Sequence, residues 1–112
     1  MNATQLKNEF IKWLIKKTGE EFSITNLFLL ACLDEEIDTT LNSTFNGIPF
    51  YDHFSSEELM IQILNGWLST AKSFLRLPES NVSISFRGIK VPKNEKREEL
   101  LSQISRLASK QI

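Results

Sequence analysis

The sequence contains few of the residues on which catalytic sites and covalent cross-links depend. Its 112 residues include one cysteine, one histidine and four glycines that are all isolated from one another. A single cysteine cannot form an internal disulfide, so a cystine framework is excluded. Isolated glycines do not form the Gly-rich loop that cradles phosphate groups. The sequence therefore offers neither a disulfide scaffold nor a nucleotide-binding loop.

The lone histidine and the lone cysteine do not indicate a catalytic site. A Ser-His-Asp or Cys-His arrangement would have to use His53, and Asp52 is too close to it in sequence to be evidence for a positioned orienting group. Cys32 lies between Ala31 and Leu33 in an apolar segment, where a thiol behaves as a small buried hydrophobe. We therefore predict that the protein is not an enzyme and that it carries no cofactor.

Long apolar runs are also missing. The longest, Leu27 to Leu33, is far shorter than the roughly 20 residues that a membrane-spanning helix needs. The first seventeen residues mix charges into their apolar positions, unlike the uninterrupted apolar core of a secretory signal. These features predict a cytoplasmic protein with no membrane partner.

The composition is otherwise that of a folded chain. Hydrophobic residues make up 41% of the sequence, including eight Phe and two Trp, and charged residues make up 24%. This hydrophobic content is sufficient for a packed core, and the length matches one domain. We predict a single globular domain spanning residues 1–112; the oligomeric state is left open.

Four segments have the apolar spacing of amphipathic helices. Each is bounded by residues that commonly cap or terminate helices, such as Gly19 after the first and the Ser55-to-Glu58 capping box before the third. The predicted helices are Thr4 to Lys17, Ile24 to Leu33 running on to Asp38 with Ser23 or Thr25 as its cap, Ser55 to Arg76, and a last helix capped by Asn94 with Leu100, Leu101, Ile104, Leu107 and Ala108 as its buried stripe. Trp67 is predicted to be largely buried in the third helix.

Two further segments have the character of short strands. Asn46-Gly47 separates Thr44-Phe45 from the run Ile48 to Tyr51, and Asn-Gly favours a type I′ hairpin turn. Apolar and polar residues alternate from Val82 to Arg87, and Gly88 allows a turn before Ile89. The predicted class is α+β: four main helices with a small antiparallel sheet of two to four short strands. An all-α bundle with irregular connections is the alternative.

Charge is distributed very unevenly along the chain, although the net charge is only −1. The block from Met1 to Lys17 carries +3, the block from Thr18 to Ala71 carries −9 with no Lys or Arg, and the block from Lys72 to Ile112 carries +5. A large acidic surface can steer a basic partner into contact. Alternatively, the basic ends fold back over the acidic middle and form ordinary surface ion pairs, each contributing at most about 1 kcal/mol.

The densest acidic segment lies where the second helix is expected to end. Carboxylates at a helix C-terminus interact unfavourably with the helix dipole and reduce local stability. Their presence there favours a role in binding another molecule. The spacing of Asp34, Glu35 and Asp38 does not match the oxygen-ligand pattern of an EF-hand, so we predict no metal site. The residues predicted to bind a partner are Asp34, Glu35, Glu36, Asp38 and Asp52.

The leading functional hypothesis is a small non-catalytic inhibitor that binds another protein. A nuclease must be basic to bind nucleic acid, and carboxylates in its phosphate-binding cleft would exclude the substrate. An antitoxin or immunity protein that neutralises a basic nuclease-type toxin fits this chemistry. Nucleic acid is not the expected partner.

Two alternatives remain. A small winged-helix-like DNA-binding regulator would use the basic residues near the last helix, Arg87, Lys90, Lys93, Lys96 and Arg97. However, the candidate recognition helices lie mainly in the acidic block, which disfavours docking on phosphates. A structural subunit or adaptor that binds through an apolar helix face is the other alternative.

Overall fold

Four α-helices and two short antiparallel β-hairpins make up the part of the chain that the structure describes. The structure is a computed structural model and describes residues 2–19, 26–77, 85–92 and 94–109. The helices are α1 (Ala3–Thr18), α2 (Leu27–Asn42), α3 (Ser56–Leu75) and α4 (Asn94–Ser109), and the strands are β1 (Thr44–Phe45), β2 (Ile48–Pro49), β3 (Ser85–Phe86) and β4 (Ile89–Lys90). The predicted α+β class with four helices and a small antiparallel sheet is confirmed.

Helix α1 begins and ends close to its predicted bounds because both ends carry local signals. Asn2 and Gln5 form a capping box, in which the Asn2 side chain accepts from the Gln5 amide at 2.9 Å. Gly19 ends the helix with a φ of 65°, in the left-handed region that glycine adopts without steric cost. The prediction of a helix over Thr4 to Lys17 is confirmed, with one further residue at each end.

Helix α2 differs from the prediction at both ends. Asn26 is its cap, accepting from the amide of Phe28 at 2.9 Å, whereas the predicted caps Ser23 and Thr25 lie outside the described residues. The helix also continues beyond Asp38 to Asn42. The expectation that the acidic segment ends this helix is therefore wrong. Because the dipole acts mainly within the last turn, its opposition to these carboxylates is weaker than the sequence suggested.

The two hairpins share one turn geometry. Asn46 and Gly47 have φ angles of 54° and 79°, and Arg87 and Gly88 have angles of 53° and 80°. Two successive positive φ angles define the type I′ turn, which matches the twist of a two-residue hairpin loop. The Asn46-Gly47 hairpin is thus confirmed, while Arg87 occupies a backbone region that is uncommon for its residue type.

The strands are shorter than the apolar runs indicated. β2 ends at Pro49, and Phe50–His53 forms a 3₁₀ helix, so the strand predicted through Tyr51 is wrong. Proline lacks the amide that would continue the ladder. The predicted strand positions Val82 and Ile84 lie outside the described residues.

Helix α3 provides the centre of the core. Ser55 caps it with Glu58 in the predicted capping box. Trp67 is 1% exposed, and its indole N–H donates to the Leu29 carbonyl of α2 at 3.0 Å. The Phe10 ring of α1 meets the indole edge to face, with 5.9 Å between ring centroids. The predicted burial of Trp67 is confirmed.

Helix α4 packs against α3. Its buried residues are Leu100, Ile104 and Leu107, as predicted, and Leu101 is half-buried. Ala108, which was assigned to the buried stripe, is exposed in the last turn. Asn94 is the first residue of the helix rather than the predicted cap preceding it, and its side chain lies outside the described part of the structure.

Candidate functional site

The acidic face of α2 is already in contact with cations from the two basic ends of the chain. The Lys7 ammonium of α1 lies 2.7 Å from an Asp34 carboxylate oxygen. Arg87, in the β3–β4 turn, contacts Glu35 at 3.1 Å and Asp38 at 2.7 Å. The alternative of basic ends folded over the acidic middle is confirmed for these three carboxylates.

These ion pairs do not bury the carboxylates. The side chains of Asp34, Glu35 and Asp38 remain 41%, 47% and 44% exposed. The hydrogen bond to Asp38 raises the pKa of Arg87 above its ordinary value, so the guanidinium stays charged. Pairs between half-exposed side chains contribute little to stability, because water screens them. A cation from another molecule can therefore compete for these carboxylates at small cost.

Glu36 does not share this exposed face. Its carboxylate lies over Gly66, where α2 and α3 cross, and a β-carbon at position 66 would overlap it. Burial raises the pKa of the Glu36 carboxyl, and the neighbouring charge of Glu35 raises it further. Within the described residues it makes no ion pair. Glu36 is thus the least available of the predicted partner-binding residues.

Asp52 occupies a separate position on the 3₁₀ helix, which packs against α2 and β2. Its side chain is exposed. No described residue forms an ion pair or hydrogen bond with its carboxylate. Of the five predicted residues, Asp52 is therefore the exposed one whose carboxylate no described residue engages.

An open cleft of about 380 Å³ lies beside the paired carboxylates. It is formed by α1, α2 and the turn between β3 and β4. Its polar lining consists of Thr4, Lys7, Asn8, Asp34, Asp38 and Arg87. The cleft gives a side chain from outside direct access to Asp34 and Asp38.

The basic residues proposed for nucleic-acid binding have different surroundings. Arg87 is bound to α2, and Arg97 donates to the backbone carbonyls of Pro92 and Leu77, the latter at 2.8 Å. Lys90 and Lys96 are exposed. Lys93 lies outside the described residues. Arg97 is thus bonded to the backbone within the domain, whereas Arg87 forms only half-exposed ion pairs.

The lone cysteine and histidine also have defined surroundings. Cys32 is buried, and this burial raises the pKa of its thiol to about 12, which suppresses the nucleophilic thiolate. His53 is exposed, with Nε2 3.2 Å from the Phe45 carbonyl oxygen. Across residues 2–19, 26–77, 85–92 and 94–109, no group of three or more His, Cys, Asp or Glu is placed to hold a metal ion. None of the helices described there is long and apolar enough to cross a membrane.

The exposure of several large apolar side chains was not predicted from the sequence. Among the described residues, four large hydrophobic side chains are exposed: Ile15, Leu27, Phe45 and Ile48. Phe45 and Ile48 are paired across the β1–β2 hairpin. The Asn46-Gly47 signal predicts the hairpin itself, but two-residue strands are too short for an alternation pattern to show which side chains face outward.

A second contact that the sequence did not predict joins α1 to α3. Glu57 accepts the indole N–H of Trp13 at 2.8 Å and pairs with the Lys17 ammonium at 2.9 Å. These contacts, chiefly the one with Lys17, lower the pKa of the Glu57 carboxyl. Glu57 therefore has a role within the domain, in addition to its favourable place in the first turn of α3.

No protein-family model matches the chain, and comparisons with curated proteins and with solved structures gave no significant match.

Proposed function

We propose that the protein is a small non-catalytic inhibitor of another protein, acting in the cytoplasm as an antitoxin or immunity protein against a basic nuclease-type toxin. One observation carries the proposal: Asp34, Glu35 and Asp38 already hold basic side chains, yet each remains about half exposed, and Asp34 and Asp38 line an open cleft. Like the phosphates of a nucleic acid, these carboxylates are anionic groups that the Lys and Arg side chains of a nuclease can bind.

Inhibition would follow from exchange of ion-pair partners. A lysine or arginine of the toxin replaces the contact with Lys7 or Arg87, and the weakness of half-exposed pairs keeps the cost of this exchange small. Basic residues held in this way are no longer available to the phosphates of a nucleic acid. The same field of carboxylates accelerates association when the salt concentration is low.

The test is a variant in which the acidic segment is neutralised, Asp34→Asn, Glu35→Gln, Glu36→Gln and Asp38→Asn together. The wild-type chain is used to capture its partner from the source cell. The captured partner is then produced separately and assayed for nuclease activity in the presence and absence of the wild-type chain. We expect the neutralised variant to associate more slowly and with a weaker salt dependence, because rim charges act mainly on the association rate. Unchanged affinity and salt dependence would contradict the proposal.

The chain offers a matched control at the start of α3. Glu57 and Glu58 carry the same charge, but the first is paired with Lys17 and the second caps the helix at Ser55. Replacing both with Gln should reduce stability more than binding. The neutralised α2 variant should also be slightly less stable, because its ion pairs with Lys7 and Arg87 are removed.

Labelled duplex DNA separates the inhibitor from the DNA-binding alternative. Because Arg97 donates to backbone carbonyls inside the domain and the α2 carboxylates lie beside Arg87, we expect no retention of DNA even at low salt. Retention that disappears when Lys90 and Lys96 are replaced with Gln would instead support the regulator.

A further inference from the structure

The tip of the β1–β2 hairpin presents two adjacent apolar side chains to solvent. Phe45 and Ile48 are directly opposite each other in the strand register, so their side chains lie on the same face of the hairpin. They are 59% and 49% exposed. The other exposed large hydrophobics of the described chain, Ile15 and Leu27, lie on two different helices.

Phe45 is held in place despite its exposure. The ring of His53 meets it edge to face, with 5.5 Å between ring centroids and 83° between the ring planes. His53 Nε2 also lies 3.2 Å from the Phe45 carbonyl oxygen, which ties the hairpin to the 3₁₀ helix. A side chain that is already fixed loses little conformational entropy when a partner covers it.

The hairpin and the 3₁₀ helix that follows it contain one acidic residue and no Lys or Arg. Asp52 precedes His53 in the 3₁₀ helix, is exposed and forms no ion pair with any described residue. The segment from Asn42 to Ser56 contains neither Lys nor Arg. A partner that covers the apolar tip therefore comes near a carboxylate for which the described residues provide no cation.

We propose that this hairpin is the anchor of the protein–protein contact: an apolar surface of a protein partner covers Phe45 and Ile48, and a Lys or Arg at the edge of that surface pairs with Asp52. The inference rests on the proposed function for the basic character of the partner, and it adds a second surface of the same contact to the α2 carboxylates. An apolar centre with a charged rim is the usual organisation of such contacts.

Two synthetic amphipathic helical peptides serve as probes. Both carry a leucine face, bordered by lysines in one and by glutamates in the other. Binding is followed by amide chemical shifts of the isotope-labelled protein. We expect the lysine peptide to shift residues 44–53 first and to bind at least about tenfold more weakly to a Phe45→Ser/Ile48→Ser variant. Leu27→Ser, which removes an equally exposed leucine from α2, should leave the affinity unchanged.

The outcomes separate the two proposals. Shifts confined to residues 34–38 would support the proposed function and overturn the hairpin anchor. Equal binding of the two peptides would overturn the assigned role of Asp52, and no binding of either, or unaltered affinity of the serine variant, would overturn the anchor altogether. Concentration-dependent shifts without peptide would assign the tip to self-association and likewise overturn it.

Discussion

Replacing Gly66 with alanine is expected to stabilise the protein, although this residue lies where α3 crosses α2. Glycine within a helix is less favourable than alanine by about 1 kcal/mol. The obstacle to a β-carbon is the carboxylate of Glu36, which would overlap it. That carboxylate is the end of a flexible side chain rather than backbone, so it can rotate away.

The structure also indicates that moving Glu36 has a small cost. Its pKa is raised because burial disfavours the charged form. Moving the carboxylate into solvent at neutral pH therefore removes the desolvation cost of the charged group. The net gain should be about 0.5 to 1 kcal/mol, which corresponds to roughly 2 to 6 °C in melting temperature for a domain of this size.

Urea unfolding followed by circular dichroism tests this expectation in wild-type and Glu36→Ala backgrounds. The gain should be at least as large when Glu36 is already shortened. A loss of more than about 1 kcal/mol in the wild-type background alone would show that Glu36 is fixed in place, and a loss in both would show that the crossing helices leave no room. The pH dependence gives a second test. Because the Glu36 pKa is raised in the folded protein, the free energy of unfolding should increase as the pH falls through that raised pKa. This increase should be smaller in Gly66→Ala, in which Glu36 is displaced toward solvent.

Three further perturbations test the fold. Trp67→Ala should cost about 3 to 5 kcal/mol, because it empties the centre of the core; an unchanged melting midpoint would refute its placement. Glu57→Gln should lower the urea midpoint at pH 7. Because the pKa of Glu57 is lowered in the folded protein, its contribution to stability is present above pH 4.5 and is lost as the pH falls through the folded-state pKa. The urea midpoints of wild type and variant should therefore converge in acid. Gly47→Ala, at a φ of 79°, should cost about 1 kcal/mol and weaken the amide signature of the β1–β2 hairpin; no loss would contradict the turn geometry.

Helix positions were predictable because their signals are local. The Ser55 capping box and the terminating Gly19 each act within one turn, so α1 and α3 matched the prediction closely. The second helix was harder, because Ser23, Thr25 and Asn26 are all competent caps and sequence alone does not choose among them. Its far end depends on side chains that bond back to the backbone, as when Asn42 donates to the Asp38 carbonyl.

Contacts across the fold were less predictable. The charge blocks indicated that ion pairs could form, but choosing Lys7 and Arg87 as partners requires knowing how α1 and the β3–β4 turn lie against α2. Gly88 predicted a turn, yet a type I′ turn places a positive φ on Arg87, which its residue type does not favour. From this position its side chain contacts Glu35 and Asp38.

The α2 carboxylates and the hairpin tip should affect different steps of binding. Asp34, Glu35 and Asp38 are half exposed and act through a screened field, so neutralising them should slow association and leave dissociation nearly unchanged. Phe45 and Ile48 act only once they are covered, so replacing them with serine should speed dissociation. The two losses should be nearly additive in free energy if these surfaces act independently. An effect of both variants on the association rate alone would refute this division.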